Sequence, residues 1–64
     1  MKDQIKTLIE KEENLVKHYD KTAVSYYNKK QLGKFNYFAG LRNATQEIVD
    51  ELKKIINTQD EDEA

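Results

Sequence analysis

The chain has 64 residues with no cysteine, proline or tryptophan, and its 11 basic and 12 acidic side chains leave a formal charge of −1. This length allows one small domain, and without cysteine there is neither a disulfide nor a thiolate metal site, so packing or association must stabilise it. The near-neutral charge argues against a dedicated nucleic-acid-binding domain. No apolar run suits a signal peptide or a membrane span, so we expect a cytoplasmic protein without membrane contact.

Apolar residues in the first half of the chain recur with a helical period. From Ile5 to Tyr26 they occupy the a and d positions of a heptad, labelled abcdefg. Smaller apolar residues at the neighbouring e positions widen the stripe to a face suited to burial. Asp3 is well placed as the N-cap residue. This pattern predicts a first helix over about residues 3–31.

The second half repeats the pattern more strictly, and it predicts a second helix over about residues 35–57. Between the two helices, residues 28–33 lose the apolar period, and Gly33 can adopt the left-handed conformation that ends a helix. We therefore expect an all-α, two-helix antiparallel hairpin with its turn about Gly33. Residues 1–58 would form the hairpin domain, and residues 59–64 an acidic, disordered tail.

One neighbouring helix cannot cover an apolar face as wide as an a, d and e stripe. An exposed apolar face of this length is typical of an interface. We expect a homodimer that forms an antiparallel four-helix bundle, with a host protein supplying the missing helices as the alternative. The expected dimer or core residues are Ile5, Leu8, Leu15, Tyr19, Tyr26, Phe35, Phe38, Leu41, Ile48, Leu52 and Ile55.

Aromatic and basic residues are concentrated around the turn. Five of the six aromatic residues lie within residues 26–38, and lysines are interleaved with them. Rings on the stripe favour a plug at the end of the bundle, whereas Tyr27 and Tyr37 lie off the stripe and suit a contact surface. Lysines with stacking rings are also typical of a site for a nucleotide or nucleic acid. The candidate partner- or ligand-binding residues are Tyr27, Lys29, Lys30, Lys34, Tyr37, Gly40 and Arg42.

Four polar residues interrupt the apolar stripe, namely Glu12, Thr22, Arg42 and Thr45. Antiparallel pairing about Gly33 would place Glu12 near Lys53 or Lys54. A polar layer that sets the register is the favoured interpretation, and a ligand site inside the bundle is the alternative.

Catalytic and metal-binding patterns are not apparent in the sequence. His18 is the single histidine and no Glu-x-x-His pair accompanies it, so we expect no metal, no cofactor and no enzymatic activity. Gly40 lies within the second predicted helix, where glycine costs about 1 kcal/mol relative to alanine. That cost favours close approach of another helix, or a recess for a partner's side chain.

The stretch YYNKKQLGKFNYFAGL at residues 26–41, followed by Ala44 and IVDEL at residues 48–52, resembles short helical-hairpin proteins of low-GC Gram-positive bacteria and their phages. The resemblance implies a protein that binds and modulates a host protein, including defence and replication machinery. We therefore expect a small dimeric, phage-encoded interaction protein or inhibitor that acts in the host cytoplasm. The alternative is a binding module for nucleotide or nucleic acid that uses the aromatic and basic turn.

Overall fold

Two helices account for the fold. The computed structural model describes the backbone of residues 2–63 and the side chains of residues 3–58. Helix α1 spans Lys2–Asn28 and helix α2 spans Leu32–Glu63. They pack side by side in opposite directions and form a rod of 50 × 14 × 12 Å. The predicted all-α, two-helix hairpin is confirmed.

The turn lies three residues earlier than predicted. α1 ends at Asn28 and α2 begins at Leu32, so the predicted boundaries at residues 31 and 35 are wrong. Gly33 belongs to the first turn of α2 and does not have a positive φ, so it is not the left-handed residue. Lys30 takes that role with a φ of 63°. A lysine accepts this conformation because the backbone hydrogen bonds around it compensate the steric cost.

Those hydrogen bonds form a complete Schellman motif. The N–H of Gln31 donates to the carbonyl of Tyr26 at 2.9 Å, and the N–H of Lys30 donates to the carbonyl of Tyr27 at 3.0 Å. The carbonyl of Gln31 then accepts the N–H of Phe35 at 3.0 Å, which makes Gln31 the N-cap residue of α2. Residues 29–31 therefore end α1 and begin α2.

α2 also ends later than predicted. The helix continues to Glu63, past the predicted end at about residue 57. Neither glycine nor proline occurs after Gly40, so no residue in this stretch breaks a helix. The predicted disordered tail, residues 59–64, falls on side chains that lie outside the described residues.

The core of the hairpin is formed mainly by e positions. The buried apolar residues are Ile9, Ala23, Val49 and Ile56, and Val49 is the large side chain that is fully buried. None of these four is among the predicted core or dimer residues, which are partly buried except for three at d positions. Leu8, Ile48 and Ile55 are 41%, 50% and 48% exposed. One hairpin thus covers the a and e side of the stripe and leaves the d side open.

The open d positions of the two helices lie on one side of the hairpin. In an antiparallel pair that meets at positions a and e, residues at the same heptad letter point to the same side. We call this side the d face; its members are Leu8, Leu15, Thr22, Leu41, Ile48 and Ile55.

The opposite side is polar, and ion pairs connect the helices there. Lys53 Nζ lies 3.4 Å from Glu13 Oε2, and Arg42 Nη1 lies 2.8 Å from Asp20 Oδ1. Lys53 therefore pairs with Glu13, the neighbour in sequence of the Glu12 that is predicted to lie near Lys53 or Lys54. The hairpin is a two-sided layer with an apolar d face and a charged reverse side.

Replacing Lys30 with glycine tests the turn. We expect Lys30→Gly to raise the free energy of unfolding by about 1 kcal/mol, because glycine adopts a positive φ without the clash of a Cβ. Chemical denaturation at a fixed chain concentration measures the change. The neighbouring Lys29→Gly is the matched control and should lower the stability, and a decrease for both variants would contradict the assigned turn.

Candidate functional site

The hairpin separates charge along its length. No acidic residue occurs between Lys21 and Gln46, whereas that segment contains five basic residues. Because the segment folds back on itself at the turn, it forms the whole turn end of the rod. Its formal charge is +5, and the rest of the chain carries −6. Anionic groups are therefore attracted to the turn end.

Partly buried rings fill the space between the helices near the turn. Tyr26 and Phe38 stack with centroids 5.6 Å apart and planes 15° from parallel, and Tyr19 lies 6.4 Å from the same phenylalanine. Phe35 is also partly buried and receives the edge of Tyr27 at 5.2 Å. This packing agrees with the interpretation that the stripe aromatics plug the end of the bundle.

An open groove runs beside the turn, and we call it the turn groove. It has a volume of about 450 Å³ and is lined by Tyr27, Asn28, Lys30 and Leu32. Tyr27 and Leu32 are 58% and 57% exposed. The groove thus combines two exposed apolar side chains with an ammonium group and an amide. Leu32 is absent from the sequence-based candidates because its place in α2 becomes apparent once the turn is shifted.

Lys29 and Lys34 lie on a different part of the turn end. Their Nζ atoms are 5.7 Å and 5.3 Å from the centroid of the Tyr26 ring, within the range of cation–π attraction. Tyr37 is 63% exposed and packs edge-on against Phe38 at 5.2 Å. In the heptad, Lys34 extends the d positions and Tyr37 sits beside them at g. The structure therefore places Tyr27 and Lys30 in the turn groove and sets Lys34 and Tyr37 at the border of the d face.

Arg42 is engaged in a structural contact. It bridges to Asp20 across the two helices, and its Nε donates to Asn43 Oδ1 at 3.2 Å. The side chains of Arg42 and Asp20 are 32% and 53% exposed, so water screens the pair and it contributes about 0.2–1 kcal/mol. Arg42 therefore aligns the helices and does not belong to the turn groove.

The threonines on the stripe satisfy their own hydroxyl groups. Thr45 is 8% exposed and donates to the carbonyl of Leu41 at 2.8 Å, and Thr22 donates to the carbonyl of His18 at 2.9 Å. Each hydroxyl bonds one turn back within its own helix. These two hydroxyls therefore form no hydrogen bond across the helices.

Gly40 has no close neighbour within the hairpin. It is exposed, and a Cβ built on it would meet no atom of the described residues within 4 Å, apart from its chain neighbours and the adjacent backbone of its own helix. The predicted close approach of another helix is therefore not supplied by α1. Gly40 occupies a c position on the outer side of α2, away from both the turn groove and the d face.

No metal site or membrane span is found in the described part of the chain. Among residues 3–58, no three histidine or acidic side chains are grouped so as to hold a metal ion. Neither helix, over the residues searched, is apolar enough along its length to cross a bilayer.

Comparisons with known proteins leave the site to be interpreted from its own geometry. Searches of protein-family models, of curated proteins and of solved structures found no match for this chain.

Replacing Gly40 with alanine tests its position. We expect Gly40→Ala to raise the free energy of unfolding by about 1 kcal/mol, because alanine favours the helix and its methyl group enters open space. Thermal or chemical unfolding measures the change. Gly33→Ala is the matched control, with equal space but a place in the first turn of α2, and it should give a smaller gain. A destabilised Gly40→Ala would show that another chain packs against this position.

Proposed function

We propose that the protein is a small dimeric interaction protein. Two hairpins join through their d faces into a four-helix bundle, and the dimer binds and modulates a protein of its host through the turn groove. The exposed d face is the observation that carries the proposal. A large apolar surface on one side of an otherwise charged rod is typical of a protein that works by association.

The surface area of the hairpin supports a dimer. The accessible surface is 4999 Å², whereas a compact monomer of 7.6 kDa exposes about 4,300 Å². The excess, about 700 Å², is close to the roughly 800 Å² that each partner contributes to a standard interface.

The small core of the hairpin leads to the same proposal. Among the side chains of residues 3–58, four apolar ones are buried, and one of these is an alanine. Chains below about 70 residues seldom fold on such a core without a disulfide, a metal or a partner subunit. This chain has no cysteine, so a partner subunit is the available source of further burial.

The turn groove is suited to a protein partner with acidic groups. Tyr27 and Leu32 offer an exposed ring and an exposed aliphatic side chain, and tyrosine is favoured at interfaces. The charge of +5 on the turn end would speed association with a negatively charged surface. From the resemblance to short helical-hairpin proteins of low-GC Gram-positive bacteria and their phages, we further propose that this partner belongs to the host's defence or replication machinery and that binding inhibits or modulates it in the cytoplasm.

A second candidate function is the binding of a nucleotide or nucleic acid at the turn end. The absence of acidic residues between positions 21 and 46 favours this alternative, as do the two lysines near the Tyr26 ring. Phosphate binding would weaken steeply with rising salt. Contacts of Tyr27 and Leu32 with a protein would be less sensitive to salt.

A charge placed on the d face tests the dimer. We expect Ile48→Lys to weaken dimerisation at least about a hundredfold, because each interface would have to bury two unpaired ammonium groups. Sedimentation equilibrium measures the change. Val24→Lys is the matched control, since Val24 is 48% exposed, nearly as much as Ile48, but lies at an f position away from the d face. Equal effects of the two variants would contradict the proposed interface.

Truncating the tyrosine of the turn groove tests the partner surface. We expect Tyr27→Ala to abolish recovery of a stoichiometric host protein in affinity purification without changing dimer mass or helicity, because the ring is exposed. Val24→Ala, outside the groove, should retain the partner. Loss of binding in a Lys29→Gln, Lys30→Gln and Lys34→Gln variant, with a nucleic acid as the recovered ligand, would instead support the second candidate.

A further inference from the structure

The d positions of α2 follow a symmetric pattern along the helix. At intervals of seven residues the sequence reads Lys34, Leu41, Ile48, Ile55 and Asp62. Three apolar residues occupy the middle, a basic residue stands at one end and an acidic residue at the other. A second α2 that runs in the opposite direction about Ile48 matches this pattern, with apolar against apolar and basic against acidic.

We infer that the second copy lies antiparallel, with the two turns at opposite ends of the bundle. The two-fold axis then passes at the level of Leu15 and Ile48, perpendicular to the helices, and α2 packs on the partner's α2. This inference rests on the dimer put forward above and specifies its arrangement. Leu41 then lies opposite the partner's Ile55.

The contacts within one hairpin place Leu15 and Ile48 at the same level. The ion pairs Asp20–Arg42 and Glu13–Lys53 lie on either side of that level. The d positions of α1 are Leu8, Leu15 and Thr22. Because Leu15 lies at the level of the axis, it faces Leu15 of the partner subunit. Each of the three middle layers of the bundle thus contains aliphatic residues from both copies.

The separation of charge along the rod favours the same arrangement. Antiparallel stacking sets the turn end, with a charge of +5, beside the partner's open end, with −6. If both turns lay at the same end, +10 would gather at one end and −12 at the other, and Lys34 would face the partner's Lys29. Charges on adjacent helices lie within about a Debye length of one another, so salt screens this difference incompletely.

The arrangement makes the dimer bivalent. The rod is 50 Å long, so the two turn grooves would lie at opposite ends of the bundle. Each groove lies on the charged side of its hairpin, away from the d face, and stays accessible. Two copies of a partner, or two sites on one large partner, could then be bound together.

A spin label at the turn measures the arrangement directly. The chain has no cysteine, so Gln31→Cys introduces a unique attachment point at a residue whose backbone makes the hydrogen bonds of the turn. Gln31 lies about 24 Å from the proposed axis at 1.5 Å per residue, so the label-to-label distance in the dimer should be about 45–50 Å. Turns at the same end would give a distance below about 25 Å.

Reversing one charge gives an independent test. We expect Lys34→Glu to weaken dimerisation about tenfold at low salt, because the basic turn end lies beside the partner's acidic open end. If both turns lay at the same end, Lys34→Glu would instead tighten the dimer, because it would face the partner's Lys29. Lys21→Glu, in the same basic half but off the d face, is the control and should have a smaller effect.

The outcomes separate the arrangement from the dimer itself. A long distance together with a dimer that Lys34→Glu weakens would support the antiparallel arrangement. A dimer that shows a short distance, or that Lys34→Glu tightens, would overturn the arrangement and leave the proposed function in place. A labelled chain that sediments as a monomer at micromolar concentration would overturn both.

Discussion

Each helix carries an apolar stripe wider than one neighbouring helix can cover, and the rest of the structure depends on this mismatch. The two helices cover one edge of each stripe by packing at positions a and e, where Ile9, Val49 and Ile56 are buried. The other edge of each stripe stays uncovered and forms the d face. Ion pairs such as Asp20–Arg42 occupy the reverse side, so an additional apolar contact can form on one side of the rod alone. A hairpin with these properties is suited to be half of a bundle.

The same division separates two tasks that the residues around the turn could perform. Lys34 and Tyr37 border the d face, where they would contact a second copy. Tyr27, Lys30 and Leu32 line the turn groove on the other side, where they remain open to a different partner. Self-association and partner binding therefore need not compete for the same surface. This separation depends on the turn, because a shift of one residue in α2 would rotate Leu32 by about 100° around its helix.

The hairpin and the level of its contacts could be predicted from the sequence, because the apolar period is strong and two helices of this length have few ways to pack. The turn could not, since the left-handed residue is Lys30 and not the expected Gly33. Glycine indicates where a positive φ costs least, but a complete Schellman motif can impose that conformation on a lysine. The sequence also did not show whether the helices would pack along the a and d edge or the a and e edge, because a wide stripe can pack along either. The turn groove depends on both results, so Leu32 was not foreseen.

We propose that a second chain completes the fold. Thermal unfolding followed by circular dichroism, at chain concentrations of about 2 and 200 μM, tests this directly, because mass action links the stability of a dimer to its concentration. We predict a midpoint temperature that rises by about 5 °C or more over this range, with one cooperative transition. A midpoint that is the same at both concentrations would show that the hairpin folds alone and would contradict the claim.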